Sequence, residues 1–123
     1  MATSIKILKG YHALIKDEFP VSITITMLLD GSLKAELKIR EIPYATPYKK
    51  ELASIYILSP EELEEYYENN MLGVLARIMF YSLTNDIRSK LRRVRTTKPI
   101  VFSKNVKYKI EEGLKFLAKQ LFE

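Results

Sequence analysis

The chain has 123 residues, 47% of them hydrophobic and 28% charged, which is typical of one globular domain and excludes a disordered or fibrous chain. Twenty Lys and Arg against fifteen Asp and Glu give a formal net charge of +5, which suits an anionic partner without establishing one. Cysteine is absent and His12 is the single histidine, so disulfides, thiol nucleophiles and His-based or thiolate metal clusters are excluded.

The sequence also bears on where the protein acts. The longest nearly apolar stretch, Met71 to Leu83, contains Arg77 and is too short and too charged to span a bilayer. No apolar run followed by a small-residue cleavage site opens the chain, so we expect a cytoplasmic protein. Abundant Lys, Glu and Ile with one glutamine are typical of hyperthermophile proteins, which indicates a thermophile, archaeal or viral, as the source.

The first predicted element covers Ser4 to Glu18. Apolar residues and His12 recur there at steps of three and four, which predicts an amphipathic helix, with an edge strand over SIKIL, Ser4 to Leu8, as the alternative. The members of this stripe are Ile5, Leu8, His12, Ile15 and Phe19. Phe19 precedes Pro20, so we expect the chain to become extended at that point.

Three strands are predicted next. In Val21 to Leu29 apolar and hydroxyl residues alternate, Asp30-Gly31 supplies a tight hairpin turn, and the returning strand buries Leu33, Ala35, Leu37 and Ile39. Its other face turns outward Lys34, Glu36, Lys38 and Arg40. After a connection with two prolines, a third strand over 51–58 is predicted with Ala53, Ile55 and Ile57 inward and with Ser54 and Tyr56 outward.

Helices are predicted in the rest of the chain. Ser59, Pro60 and Glu62 form a helix start with a capping box. We expect Asn69-Asn70 and Gly73 to break that helix, Met71 to Leu83 to form a buried or interfacial helix, and Thr84-Asn85-Asp86 to cap a further one. A C-terminal helix after Ser103 carries a zipper-like stripe of Val106, Ile110, Leu114, Leu117 and Leu121. The sequence therefore predicts one α+β domain over residues 1–123, with an antiparallel sheet of three to four strands, helices packed on one face and C-terminal helices.

The strongest candidate for chemistry is the run from Arg88 to Lys98, with six basic residues in eleven and no acidic one. Clustered cations release counterions when they neutralise phosphates, and hydroxyl side chains nearby can donate to phosphate oxygens. The run predicts nucleic-acid binding through Arg88, Arg92, Arg93 and Arg95. The alternative is a solvated helix face that folds against the five glutamates between Glu61 and Glu68.

A second basic group combines the outward face of the hairpin with the proline connection. Its cations are Lys34, Lys38, Arg40, Lys49 and Lys50, and the tyrosines among them are Tyr44, Tyr48 and Tyr56. Basic residues interleaved with exposed aromatic rings are typical of single-strand binding, because phosphates need charge and unpaired bases stack on rings. The alternative is a polar sheet face whose tyrosines pack under the proline connection.

A family resemblance covers about Val21 to Asn69. A hairpin strand ends in KIREI, a linker with tyrosines and a lysine pair follows, and a short strand ASIYIL leads into a helix that opens SPEELEEYYE. This order resembles the core of the positive-cofactor-four-like single-stranded DNA-binding coactivators, in which the sheets of two subunits form the DNA-binding surface. The resemblance implies DNA contacts at Lys34, Lys38, Arg40, Tyr44, Lys49 and Lys50.

Enzyme signatures are missing. The four glycines are scattered and form no phosphate-cradling loop, and His12 is interpreted as a packed helix residue rather than a catalytic base. We therefore expect no catalysis, no cofactor and no metal. We predict binding of nucleic acid, most of all single-stranded DNA, with Lys and Arg on phosphates and tyrosines on bases. A small viral or plasmid regulator that docks on a host protein is the alternative, and a metal-dependent nuclease is a second one.

The apolar helix surface exceeds what a small sheet can cover. Met71 to Leu83 is apolar on every side, and the C-terminal helix adds Phe116 and Phe122 beside its leucines. Burial of such surface is favourable, so the sequence predicts a homodimer. The alternative is a monomer whose helices wrap both faces of the sheet.

Overall fold

The computed structural model describes residues 9–17, 19–40, 51–92 and 101–123. Within these ranges the chain forms four antiparallel strands followed by three helices. In chain order they are β1 (Lys9–Lys16), β2 (Pro20–Met27), β3 (Leu33–Ile39), β4 (Leu52–Leu58), α1 (Pro60–Glu68), α2 (Leu72–Arg92) and α3 (Lys104–Phe122). No helix in these ranges combines the length and the hydropathy that a membrane span requires.

Each strand is paired with its neighbour in sequence, so the sheet has the order β1-β2-β3-β4. α3 packs on β1 and β2, α2 packs on β4 and part of β3, and the two helices pack on each other. The core therefore lies between one face of the sheet and the helices, which confirms the predicted α+β fold. Its largest fully buried side chains include Ile23, Ile25, Leu33, Leu37, Ile39, Leu58, Leu63, Leu75, Met79, Leu83, Ile87 and Ile110.

The predicted hairpin joins β2 to β3. Gly31 has φ +90°, the left-handed conformation that glycine adopts without strain. Its N–H donates to the Leu28 carbonyl at 2.9 Å, and the Leu28 N–H donates to the Ser32 carbonyl at 2.8 Å. The Asp30 carboxylate accepts a hydrogen bond from the Ser32 N–H at 2.9 Å. The hairpin is confirmed, with positive φ at Gly31 and not at Asp30.

Alternation on β2 and β3 follows the prediction, with two differences. Leu29 lies in the turn and is exposed rather than buried. Ser22 and Thr26 are buried rather than wet, since both lie on an inner strand: Ser22 lies between Leu14 and Lys38, and Thr26 lies between Gly10 and Lys34. The inward residues of β3 are those predicted, and Lys34, Glu36 and Lys38 alternate with them.

The amphipathic helix predicted for Ser4 to Glu18 is wrong for the described residues, which form strand β1. His12 and Ile15, members of the predicted helical stripe, point to opposite faces of this strand: Ile15 is buried and His12 is exposed. The physical reason is pairing, since β1 satisfies backbone groups of β2 that a helix would leave at a free edge. The interpretation of His12 as a packed helix residue fails with it.

The prediction of which β4 residues point inward and which point outward is also wrong. Ile55 and Ile57 are exposed, whereas Ser54 and Tyr56 face the helices. The register decides this, because Tyr56 is paired with the buried Ala35, and residues directly opposite share a face. Burial raises the pKa of the Tyr56 phenol, with a further contribution from Glu62.

The start of α1 is confirmed. Ser59 is the N-cap: its Oγ accepts from the Glu62 N–H at 3.1 Å and donates to the Glu62 carboxylate at 3.2 Å. The predicted break after α1 occurs at Asn69-Asn70, where Asn70 has φ 58°. Gly73 interrupts nothing, since it lies in the first turn of α2.

The separate helix predicted after Thr84-Asn85-Asp86 does not form, because α2 is continuous from Leu72 to Arg92. Thr84 is buried and its hydroxyl donates to the Phe80 carbonyl at 2.7 Å. The hydroxyl therefore bonds back to the preceding turn instead of capping a new one.

The stripe predicted on the C-terminal helix forms, and it faces the core. Val106, Ile110, Leu114 and Leu117 are fully buried on α3. α3 lies close to the sheet at Gly113, since a Cβ there would lie 2.7 Å from Ile25 Cδ1. The stripe that resembles a zipper therefore holds α3 on β1 and β2.

Candidate nucleic-acid interface

The face of the sheet that none of the described helices covers, called the open face below, consists of every second residue of each strand. The register arranges these residues in rows across the sheet. Three complete rows are Gly10-Thr26-Lys34-Ile57, His12-Thr24-Glu36-Ile55 and Leu14-Ser22-Lys38-Ala53. A fourth row contains Lys16, Pro20 and Arg40.

Cations and aliphatic side chains share the open face. The cations are Lys16, Lys34, Lys38 and Arg40. The aliphatic side chains are Leu14, Ile55 and Ile57, which are 69%, 53% and 57% exposed. Among the described residues the open face has no tyrosine or phenylalanine, so the base contacts that this part offers are aliphatic, apart from the imidazole ring of His12.

One end of the open face is more basic than the other, and an acidic residue lies within that end. Lys38 and Arg40 lie there, whereas Lys34 is about 13 Å from Lys38 along β3. A Glu51 carboxylate oxygen lies 3.6 Å from Lys38 Nζ, and the other lies 3.3 Å from Arg40 Nε. Such exposed ion pairs add little stability, but they reduce the positive potential locally.

The carboxyl end of α2 lies at this same end of the sheet. Lys90 Nζ donates to the Ala53 carbonyl at 2.6 Å and lies 2.9 Å from the Asp86 carboxylate. Hydrogen bonds from Lys90 and Ser54 hold the pKa of Asp86 below its usual range. These contacts fix the last two turns of α2 against the start of β4.

The start of α3 is fixed there as well, beside the end of β1. The Asp17 carboxylate accepts a hydrogen bond from the Ser103 N–H at 2.7 Å. On the adjacent turn of α2, the Arg88 guanidinium lies 5.4 Å from the centroid of the Phe102 ring and donates to Asn85 Oδ1 at 3.2 Å.

These contacts bring cations from both layers of the fold to one end, which we call the basic end. It comprises Lys16, Lys38, Arg40, Arg88, Lys90 and Lys104. The carboxylates among them are those of Asp17, Glu51 and Asp86. Within the described ranges the basic end therefore has six cations and three anions. Lys16 and Lys104 are exposed, and no ion pair joins them to another described residue.

Glutamates occupy the opposite end. β4 ends at Leu58 beside Leu33, so α1 begins at the hairpin end of the sheet. All five of its glutamates are exposed: Glu61, Glu62, Glu64, Glu65 and Glu68. Arg88 is about 24 Å along the axis of α2 from Leu72. The structure thus separates Arg88 from the glutamates and does not fold it against them.

The predicted site residues have different outcomes. Lys34, Lys38 and Arg40 lie on the open face as expected, and Arg88 joins the last two at the basic end. Tyr56 does not lie with them, because it packs under the helices on the other face of the sheet. Tyr44, Tyr48, Lys49, Lys50, Arg93 and Arg95 lie outside the described residues, as does the side chain of Arg92.

Sequence reasoning missed Lys16 and Lys104, and it included Lys90 in the basic run without naming it as a contact. The sequence predicts a helix around Lys16, and only the place of this residue at the end of β1 puts it beside Pro20 and Arg40. Lys90 and Lys104 reach the site through tertiary contacts of α2 and α3. Lys16 can be placed at the site from the sequence only if the first segment is predicted as a strand and not as a helix.

His12 stands apart from the cations, in the middle of the open face. Its Nδ1 lies 2.9 Å from Thr24 Oγ1 on the neighbouring strand. In the described part of the chain, no group of three His, Cys, Asp or Glu side chains is placed to hold a metal ion.

Comparison of the chain with protein-family models, curated proteins and solved structures gives no match. The resemblance to the single-stranded DNA-binding coactivators therefore stays a prediction.

Proposed function

We propose that this protein is a non-enzymatic nucleic-acid-binding protein, and that it holds a single strand, DNA above all, at the basic end and across the adjoining open face. One observation supports this most: six cations from β1, β3, α2 and α3 lie at one end, and five glutamates lie at the other. A polyanion is attracted to the first end and repelled from the second, so the charge distribution also orients it.

Phosphates and bases would contact different groups on this surface. Lys16, Arg40 and Lys104 are exposed and able to follow a phosphate backbone. Leu14 and Ile55 offer apolar contact to unpaired bases beside them. The stacking roles of Tyr44 and Tyr48 stay predictions. The proposal includes self-association, since two copies present two such surfaces.

The first test compares single strands with duplex. Unpaired bases add contacts that a duplex hides, so we expect a labelled oligonucleotide to bind at least about tenfold more tightly than its duplex, equivalent to about 1.4 kcal/mol. Fluorescence anisotropy in matched buffers measures both affinities, with an RNA strand as a third arm. Equal or tighter duplex binding would contradict the single-strand preference.

Glu51 offers a gain-of-function test. Glu51→Gln removes the carboxylate between Lys38 and Arg40 without a change of size, so we expect affinity to rise about two- to fivefold. Glu64→Gln is the matched control, because it makes the same change of net charge on α1 at the opposite end, more than a Debye length away. An equal rise in both variants would show that net charge, and not the basic end, governs binding.

The exposed glutamates of α1 support a second candidate function, docking on another protein through an acidic helix. If neither single strand nor duplex binds at low salt, the nucleic-acid proposal fails and α1 becomes the leading interaction surface.

A further inference from the structure

α2 has a second apolar stripe, on the side opposite the core. Its members are Met71, which directly precedes the first residue of α2, and Val74, Ile78 and Tyr81. They follow at steps of three, four and three and are 42%, 44%, 42% and 51% exposed. Such steps place side chains on one line along a helix. We call this line the seam. It is distinct from the buried stripe that holds α2 on the sheet.

The two ends of the seam differ in charge. Beyond Tyr81 the same steps reach Asn85 and then the cation Arg88. At the other end Met71 shares a groove with Glu62 and Glu65 of α1. The seam therefore runs from an acidic groove, over four apolar side chains, to a positive charge.

We propose that two copies of this chain pair through the seam, with their α2 helices antiparallel about a two-fold axis. In this register Ile78 lies opposite the partner's Tyr81, Val74 opposite the partner's Asn85, and Met71 opposite the partner's Arg88. Each apolar centre meets an apolar centre, and each acidic groove meets the cation of the other copy.

Complementarity selects a second copy as the occupant. In a pair related by a two-fold axis, the same surface of both copies forms the interface. The antiparallel arrangement therefore places the acidic groove of each copy beside the Arg88 position of the other, so opposite charges meet twice. A parallel arrangement would bring the glutamates of the two copies together and likewise their arginines, which is unfavourable. The antiparallel pair keeps both sheets on the outside, so both open faces stay uncovered. The inference does not rest on nucleic-acid binding.

Light scattering at micromolar concentration tests the pairing. We expect about twice the chain mass of 14.3 kDa for the unaltered protein and a monomeric mass for Ile78→Glu. Ile57→Glu is the matched control, since it changes another half-exposed isoleucine, on β4, and should leave the dimer intact. Circular dichroism checks folding, and Tyr81→Lys replaces Ile78→Glu should the latter not fold.

Disulfide cross-linking tests the register. The chain has no cysteine, so introduced thiols are the only ones present. An equal mixture of Val74→Cys and Asn85→Cys proteins should cross-link as a heterodimer. Val74→Cys alone should not, because the antiparallel register separates the two copies of residue 74 by about 16 Å along the axis. A monomeric mass for the unaltered chain, a dimer that survives the seam variants, or self-cross-linking of Val74→Cys would each overturn the proposal.

Discussion

Affinity for a single-stranded oligonucleotide should fall about 250-fold when the salt concentration is raised fourfold. About six phosphate contacts give a log-log slope near −4, because each contact with a single strand contributes about −0.7. Anisotropy titrations over a series of salt concentrations measure this slope. A slope near zero would mean that the positive charge is not used on nucleic acid.

Substitutions of two lysines on α3 test which end of the molecule contacts the nucleic acid. Lys104→Ala, in the first turn at the basic end, should reduce the slope by about 0.7, and Lys16→Ala should do the same. Lys119→Ala is the matched control, because Lys119 is exposed in the last turn of the same helix, at the opposite end. Folding should tolerate Lys104→Ala, since a cation at a helix start is unfavourable to the helix dipole. An equal change in both α3 variants would contradict the proposed location.

Leu114→Ala should lower the free energy of unfolding by about 2–5 kcal/mol and Tm by roughly 10 °C or more. Leu114 has no exposed surface and lies on the buried stripe of α3, which packs on β1, β2 and α2. Truncation there leaves a cavity that the surrounding side chains fill only in part. Thermal and urea unfolding, followed by circular dichroism, measure both quantities.

The control for that prediction is the same substitution at an exposed site. Leu14→Ala lies on the open face, and we expect a change within about 0.5 kcal/mol. The comparison also separates two roles for the α3 stripe. Suppose that Leu114→Ala weakened dimerisation and left the stability of the monomer unchanged. The stripe would then pack between two copies of the chain and not on the sheet of its own copy.

Local signals in the sequence predicted the elements whose chemistry is local. The alternation in β2 and β3, the positive φ at Gly31 and the cap at Ser59 each depend on residues within a few positions. These predictions are confirmed because no distant partner is needed to decide them.

Elements whose orientation depends on a distant partner were not predictable in this way. β1 has apolar residues on both faces, and its pairing with β2 rather than its periodicity decides its conformation. The two isoleucines of β4 are more hydrophobic than Ser54 and Tyr56, yet the register with β3 turns the isoleucines outward. Asp86 on α2 hydrogen-bonds Ser54, which explains how a polar residue is accepted on the inner face.

The candidate site depends on topology in the same manner. The sequence shows two basic groups far apart in the chain, and no pattern within either says whether they meet. The contact of Lys90 with Ala53 and that of Asp17 with Ser103 bring the ends of four elements together. The sequence shows how many cations the chain has. Only the fold shows that several of them lie together at one end of the molecule.

The packing of α3 on β1 and β2 also constrains how the chain is made. β2 ends at Met27 and α3 begins at Lys104, so the ribosome synthesises more than seventy residues between the first half of the sheet and the helix that covers it. During that interval the apolar inner faces of the first two strands have no cover from their final partner. Such surfaces favour aggregation of nascent chains. We therefore expect the early hairpins to be prone to aggregation until α3 has been synthesised.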